Sequence, residues 1–160
     1  MDPIAQISGR HEFHAAVRMA LAEAASAGWR ELWLCDPDFA SWPLGERAVI
    51  ESLTQWAGVG RRLILLALHF DEVVRRHARW AQWRRQWVHS VQCRALQELQ
   101  ADDVPVMLHA QGALTLRLLD PRNYRGTLSR RAPDGLSARE RIDAISQRSV
   151  EAFPVTTLGL

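Results

Sequence analysis

Residues 62–68, Arg-Leu-Ile-Leu-Leu-Ala-Leu, constrain the architecture more than any other stretch of the chain. A run of apolar side chains in extended conformation points alternately to both faces of a strand, so both faces must be covered. A strand of that kind belongs inside a parallel or mixed sheet with helices packed on it. The preceding sequence agrees. Glu31–Cys35 is another short β-prone run, halted by Asp36-Pro37-Asp38. Between the two runs, residues 45–57 have helical period, with Val49, Leu53 and Trp56 on one face and Gly58 and Gly60 at the end.

The rest of the chain extends this pattern. Phe13, Val17, Leu21 and Ala24 fall on one face of a helix over 10–27 that stops at Gly28. A long helix is expected over 71–87, opened by Asp71 and Glu72, which suit its positive end. A third strand is expected at 89–94. Val104–His109 and Ala113–Leu119, joined through Ala110-Gln111-Gly112, predict a hairpin. Tyr124–Ser129 predicts an edge strand, 130–137 a loop and 138–153 a final helix stopped by Pro154. The expected fold class is therefore α/β, a single mixed β-sheet flanked by helices. One domain spans 1–153, and 154–160 is an apolar tail.

Several chemistries are excluded. All 20 basic residues are arginine, so no lysine nucleophile, Schiff base or phosphate-binding lysine exists. Cys35 and Cys93 both lie in apolar runs and have no second cysteine at metal-ligand spacing, so they read as buried free thiols. His11 and His14 share a helical face but lack a third ligand, so no metal or other cofactor is expected. The longest apolar stretch, Leu63–Leu68, is far short of the ~20 residues that cross a bilayer. With no basic leader followed by an apolar core, the expected location is cytoplasmic.

What remains is a short list of candidates. Asp36 and Asp38 follow an inner strand, at the rim where open α/β sheets bind ligands, and would serve as base or metal ligand. The same pair also reads as turn chemistry. His69 ends the apolar run at the same rim, and His109 lies in the hairpin. Residues 75–94 carry six arginines and no carboxylate, among them Arg75 and Arg79. Trp80, Trp83 and Trp87 share one face of that helix, either as core or as an exposed stacking surface. Arg117 and Arg125 flank the hairpin and, with Arg75 and Arg79, form the candidate phosphate-binding set. The tail Phe153–Leu160 is apolar and β-prone, which predicts docking on its own domain or within a homodimer.

The order of elements resembles one half of a phospholipase-D-like domain, and more narrowly an uncharacterised bacterial group of degenerate phospholipase-D-like proteins. The residues carrying the resemblance are Leu32–Asp38 with Trp42-Pro43-Leu44, Gly60–Leu63, Arg75–Trp80, Tyr124–Thr127 and the ending Phe153–Leu160. It covers roughly residues 29–160. Active phospholipase-D enzymes carry His-x-Lys on a strand, with the His as nucleophile and the Lys on phosphate. Here Val104–Met107 occupies that strand, and Gly126-Thr127-Leu128-Ser129 echoes the accompanying Gly-Ser/Asn segment. The resemblance implies the scaffold and argues against the activity. The leading expectation is a non-catalytic protein that binds a phosphate-bearing ligand, nucleic acid or a protein partner. The alternatives are a phosphodiester hydrolase with a rearranged histidine site, and a structural protein that oligomerises through its tail.

Overall fold

The structure, a computed structural model, describes residues 4–153. It is built on one eight-stranded mixed sheet. In chain order the elements are β1 (Ile4–Ser8), α1 (Arg10–Ala27), β2 (Glu31–Cys35), α2 (Arg47–Trp56), β3 (Arg62–Ala67), α3 (Asp71–Arg76), α4 (Ala78–Arg84), β4 (Val91–Leu96), β5 (Val106–Ala110), β6 (Leu114–Asp120), β7 (Arg125–Ser129), α5 (Ala132–Ser146) and β8 (Ser149–Glu151). Strand order across the sheet is β1-β7-β6-β5-β2-β3-β4-β8. Strands β2, β3 and β4 are parallel and every other pairing is antiparallel.

Alternation along the strands sorts the core into two layers. Leu32, Leu34, Leu63, Leu65, Leu108, Leu116 and Leu128 face α1, α2, α3 and α4, against Phe13, Val17, Leu53, Trp56, Val73 and Trp80. Trp33, Cys35, Ile64, Leu66 and Met107 face the other way, onto Ala138, Ile142 and Ile145 of α5. Four helices thus share one face, and a single helix lies on the other. The apolar run that defines β3 is buried from Leu63 to Ala67 because it lies between both layers.

Four features differ from the sequence-based expectation, each for a specific physical reason. The helix expected over 71–87 breaks at His77, whose ring is drawn inward to donate from Nε2 to the Phe39 carbonyl at 2.8 Å. Gly45 packs on that break, where a Cβ would come within 3.2 Å of the His77 Cα. The strand Arg125–Ser129 is internal, because Ile4–Ser8 pairs along its outer side. The last helix starts at Ala132, since Pro133 falls in the first turn, where no amide hydrogen is needed. It ends at Ser146, and Ser149–Glu151 then pairs antiparallel with β4.

Tryptophans Trp80 and Trp83 are buried, and Trp87 packs on the same core, so the tryptophan stripe is core. Phe153 closes the described chain, with its ring stacked on Phe70 at 5.9 Å. The expected tail docking of 154–160 lies outside the described residues. Among the described residues, no helix is long and apolar enough to cross a membrane.

Candidate functional site

The carboxyl ends of β2 and β3, the start of β5 and the end of β6 meet at one rim of the sheet, because β5 runs antiparallel to β2 with Cys35 opposite Met107. Asp36, His69, Val104–Val106 and Asp120 therefore share that rim. Their chemistry differs sharply.

Asp36 is buried and fully engaged. Its Oδ2 accepts the amides of Asp38 at 2.9 Å and Phe39 at 2.7 Å, and its Oδ1 accepts the Trp42 indole N–H at 3.0 Å. Burial raises its pKa above the ordinary aspartate value even though all three donors favour the ionised form. Asp38 Oδ1 in turn accepts the Ala40 amide at 2.9 Å. The two carboxylates hold a turn in which Phe39 has φ 61°, and that turn seats Phe39 and Trp42 in the core. His69 is exposed, with no hydrogen-bond or ion-pair partner among the described residues.

His109 lies at the opposite end of the sheet, paired in register with Trp33 and Thr115. Its ring is buried between Thr115 Oγ1 at 2.9 Å from Nδ1 and Gln111 Oε1 at 3.0 Å from Nε2. Burial lowers its pKa, which keeps the imidazole neutral near pH 7. The structure does not bring His69 and His109 together, and neither carboxylate of the turn touches His109.

Where the phospholipase-D resemblance expects His-x-Lys, β5 is entered through Val104-Pro105-Val106, with both valines buried. Beside them a depression of about 260 Å³ is lined by Arg117 and Arg141 together with Asp102 and Asp103. Arg141 donates from Nη2 to the Asp103 carbonyl at 2.5 Å. A second depression of about 320 Å³ adjoins it across Leu119 and is lined by Gln6, Ser8, Asp120, Arg125 and Thr127.

The sheet itself explains this pair of depressions. Ile7, Leu116 and Leu128 point into the α1 layer, so Gln6, Thr127 and Arg117, in register in one row, point to the α5 side. Helix α5 covers β4, β5 and β6 there but makes no extensive contact with β1 or β7. The polar face of β1 and β7 is open. Leu119 is the extra residue of a bulge between Leu118 and Asp120, and it projects outward, 69 % exposed. Gly126 is required opposite that bulge, because a Cβ would meet the Arg117 carbonyl oxygen at 1.9 Å.

The four arginines singled out from sequence fall into two sets. Arg75 shares Glu72 with Arg76 at 3.5 and 3.4 Å, and Arg79 donates to the Gly45 carbonyl at 2.7 Å, all on the helical side. Arg125 lies on the open face of β7 and Arg117 beside it on β6, half-buried at the margin of α5, and their guanidinium groups have no partner among the described residues. Asp120, opposite Arg125 in register, is held by Asn123 at 2.9 Å. Sequence reasoning missed Arg141. It falls inside the expected helix, but its neighbour in space, Asp103, is 38 positions away. Among the described residues, no group of three or more His, Cys, Asp or Glu side chains is placed to hold a metal ion.

No protein-family model matches the sequence, and no curated protein matches it. Solved structures do share its fold. TrmBL2, an archaeal chromatin protein with a novel mode of DNA binding, superposes with a TM-score of 0.64 at 15 % identity, over 94 % of this chain and 54 % of its own. NucT from Helicobacter pylori gives 0.57 at 9 % identity, over 93 % and 98 %. Phosphatidylserine synthase from Haemophilus influenzae Rd KW20 gives 0.55 at 12 % identity, over 98 % and 41 %. The chain thus spans about half the length of TrmBL2 and less of the synthase. The fold is phospholipase-D-like, a single mixed sheet flanked by helices.

Proposed function

We propose that this protein is a non-catalytic phospholipase-D-like protein that binds nucleic acid through Arg117 and Arg125 on the open end of its sheet, in the manner of a degenerate bacterial branch of that fold acting in the cytoplasm. One observation carries the reading. The strand position of the reactive pair holds two buried valines, while the adjoining depression keeps arginine. Without an imidazole at that position there is no nucleophile for the phosphorus, and a guanidinium, always protonated in a protein, does not exchange protons there. What the residues can do is bind: a guanidinium fork grips phosphate oxygens in bidentate fashion. The likeness to TrmBL2 supports a polymer over a free anion. Asp102, Asp103 and Asp120 line the same depressions, so the affinity is set by a few phosphate contacts and not by a large positive field.

Anisotropy of a labelled oligonucleotide at low salt tests the placement. The double variant Arg117→Ala/Arg125→Ala is expected to bind roughly tenfold more weakly, since phosphate contacts contribute uniformly across sequences. The double variant Arg75→Ala/Arg79→Ala should bind within about twofold of the parent, because paired surface arginines contribute little. The opposite ranking moves the interface to the helical side. Recovery of the oligonucleotide intact is the accompanying expectation, and cleavage abolished by His109→Ala would overturn the non-catalytic reading.

A further inference from the structure

A different arginine sits where a cation is costly. Arg84, at the end of α4, is only 5 % exposed. Its guanidinium lies 4.7 Å over the Phe153 ring and donates one N–H to the Phe153 carbonyl, but Nε has no hydrogen-bond partner. No carboxylate of the described residues lies within ion-pair distance of it. Burial disfavours its charged form, and the field of Glu151 restores only part of the loss. Cys93, also near it, is itself buried, with its thiol pKa pushed up to about 12, and supplies no counter-charge at neutral pH. A buried guanidinium left with one carbonyl and one ring for company is an under-satisfied group.

Arg84 lines a depression of about 350 Å³ at the amino ends of β3 and β4, the end of the sheet opposite the rim described above. Its other polar walls are Arg62, His89, Ser90, Gln92 and Glu151. Arg62 gives one nitrogen to Glu31 at 2.9 Å, and the side chains of His89, Ser90 and Gln92 have no partner among the described residues. On the α4 side of the sheet the donors come from Arg84 and from His89 and Ser90 in the turn before β4, whereas Arg62 and Gln92, in the row of Ile64, reach the depression from the α5 side around the amino end of β4. Guanidinium, imidazole and hydroxyl donors together suit the oxygens of a phosphate. The volume is at the lower end of ordinary ligand sites, of about 300 Å³ and upward. We propose that this depression is a binding site for a small phosphate-bearing ligand, with Arg84 as its buried anchor and His89 and Ser90 at its mouth. The site is separate from the proposed nucleic-acid face, and neither depends on the other.

Titration with inorganic phosphate at constant ionic strength, followed by amide and arginine Nε–H resonances, tests it. The expected result is saturable shifts at Ser90, Gln92 and Arg84 Nε–H, with acetate at least about tenfold weaker. Arg84→Gln should weaken phosphate by about tenfold or more while leaving oligonucleotide affinity unchanged. Should that variant fail to fold, His89→Glu, an exposed position, is expected to weaken phosphate by a similar factor. Non-saturable shifts, shifts confined to Arg117 and Arg125, equal binding of acetate, or a His89→Glu protein that binds phosphate as the parent does would each overturn the assignment.

Discussion

Trp80→Ala is expected to cost about 3–5 kcal/mol in unfolding free energy, the range for emptying a large aromatic site that cannot collapse. Trp80 is fully buried and packs with Trp83 at 6.3 Å, wedged between the sheet and α2. Its indole N–H has no partner, so it contributes volume and no hydrogen bond. Trp80→Phe should therefore cost much less, below about 1.5 kcal/mol, because the lost volume is offset by removing an unsatisfied donor. Chemical denaturation of the three proteins gives the comparison directly. A neutral Trp80→Ala would mean that this face is not core, and would return the tryptophans to the role of an exposed stacking surface.

Asp36→Ala is the second large effect, expected at about 3 kcal/mol, because three buried donors to a carboxylate lose their acceptor together. The pH dependence has a definite sign. The Asp36 pKa is raised by burial, so the folded protein holds that proton more tightly than the unfolded chain does. Wild-type stability from this group is thus greatest below the unfolded value and is lost as pH rises through the folded one. The alanine variant lacks that slope, so the difference between the two proteins narrows across the window and stays positive above it. Denaturation midpoints of both proteins from acid to neutral pH measure this. A variant of unchanged stability would remove the structural reading of Asp36 and leave it free for chemistry.

Much of the scaffold was legible because its signals are local and periodic. The apolar run of β3, the face Phe13–Val17–Leu21–Ala24 of α1 and the Gly112 hairpin each announce themselves within a few residues. What escaped was decided by partners distant in sequence. Ile4–Ser8 carries only one buried side chain, Ile7, and becomes a strand because β7 offers it an edge. The break at His77 depends on a carbonyl 38 residues away. Pro133 and Gly135 argue for a loop in isolation, yet one sits in a helix's first turn and the other is tolerated beside His109.

The candidate site was legible in residue type and not in placement. Arg75, Arg79, Arg117 and Arg125 look alike in sequence, and register alone places Arg117 and Arg125 together on the sheet, at the edge of what α5 covers. The valines in place of a reactive pair were readable directly from Val104 and Val106. Arg141 and Arg84 were not, since each matters through a contact made across the fold.

Oligonucleotide affinity measured against salt bears most directly on whether guanidinium–phosphate contacts are what this scaffold offers. Two such contacts predict a straight fall of log affinity with log salt, with a slope of about −1.5 to −2, flattening by nearly that amount in the Arg117→Ala/Arg125→Ala protein. An affinity that ignores salt, or a slope that the double variant leaves untouched, would contradict it.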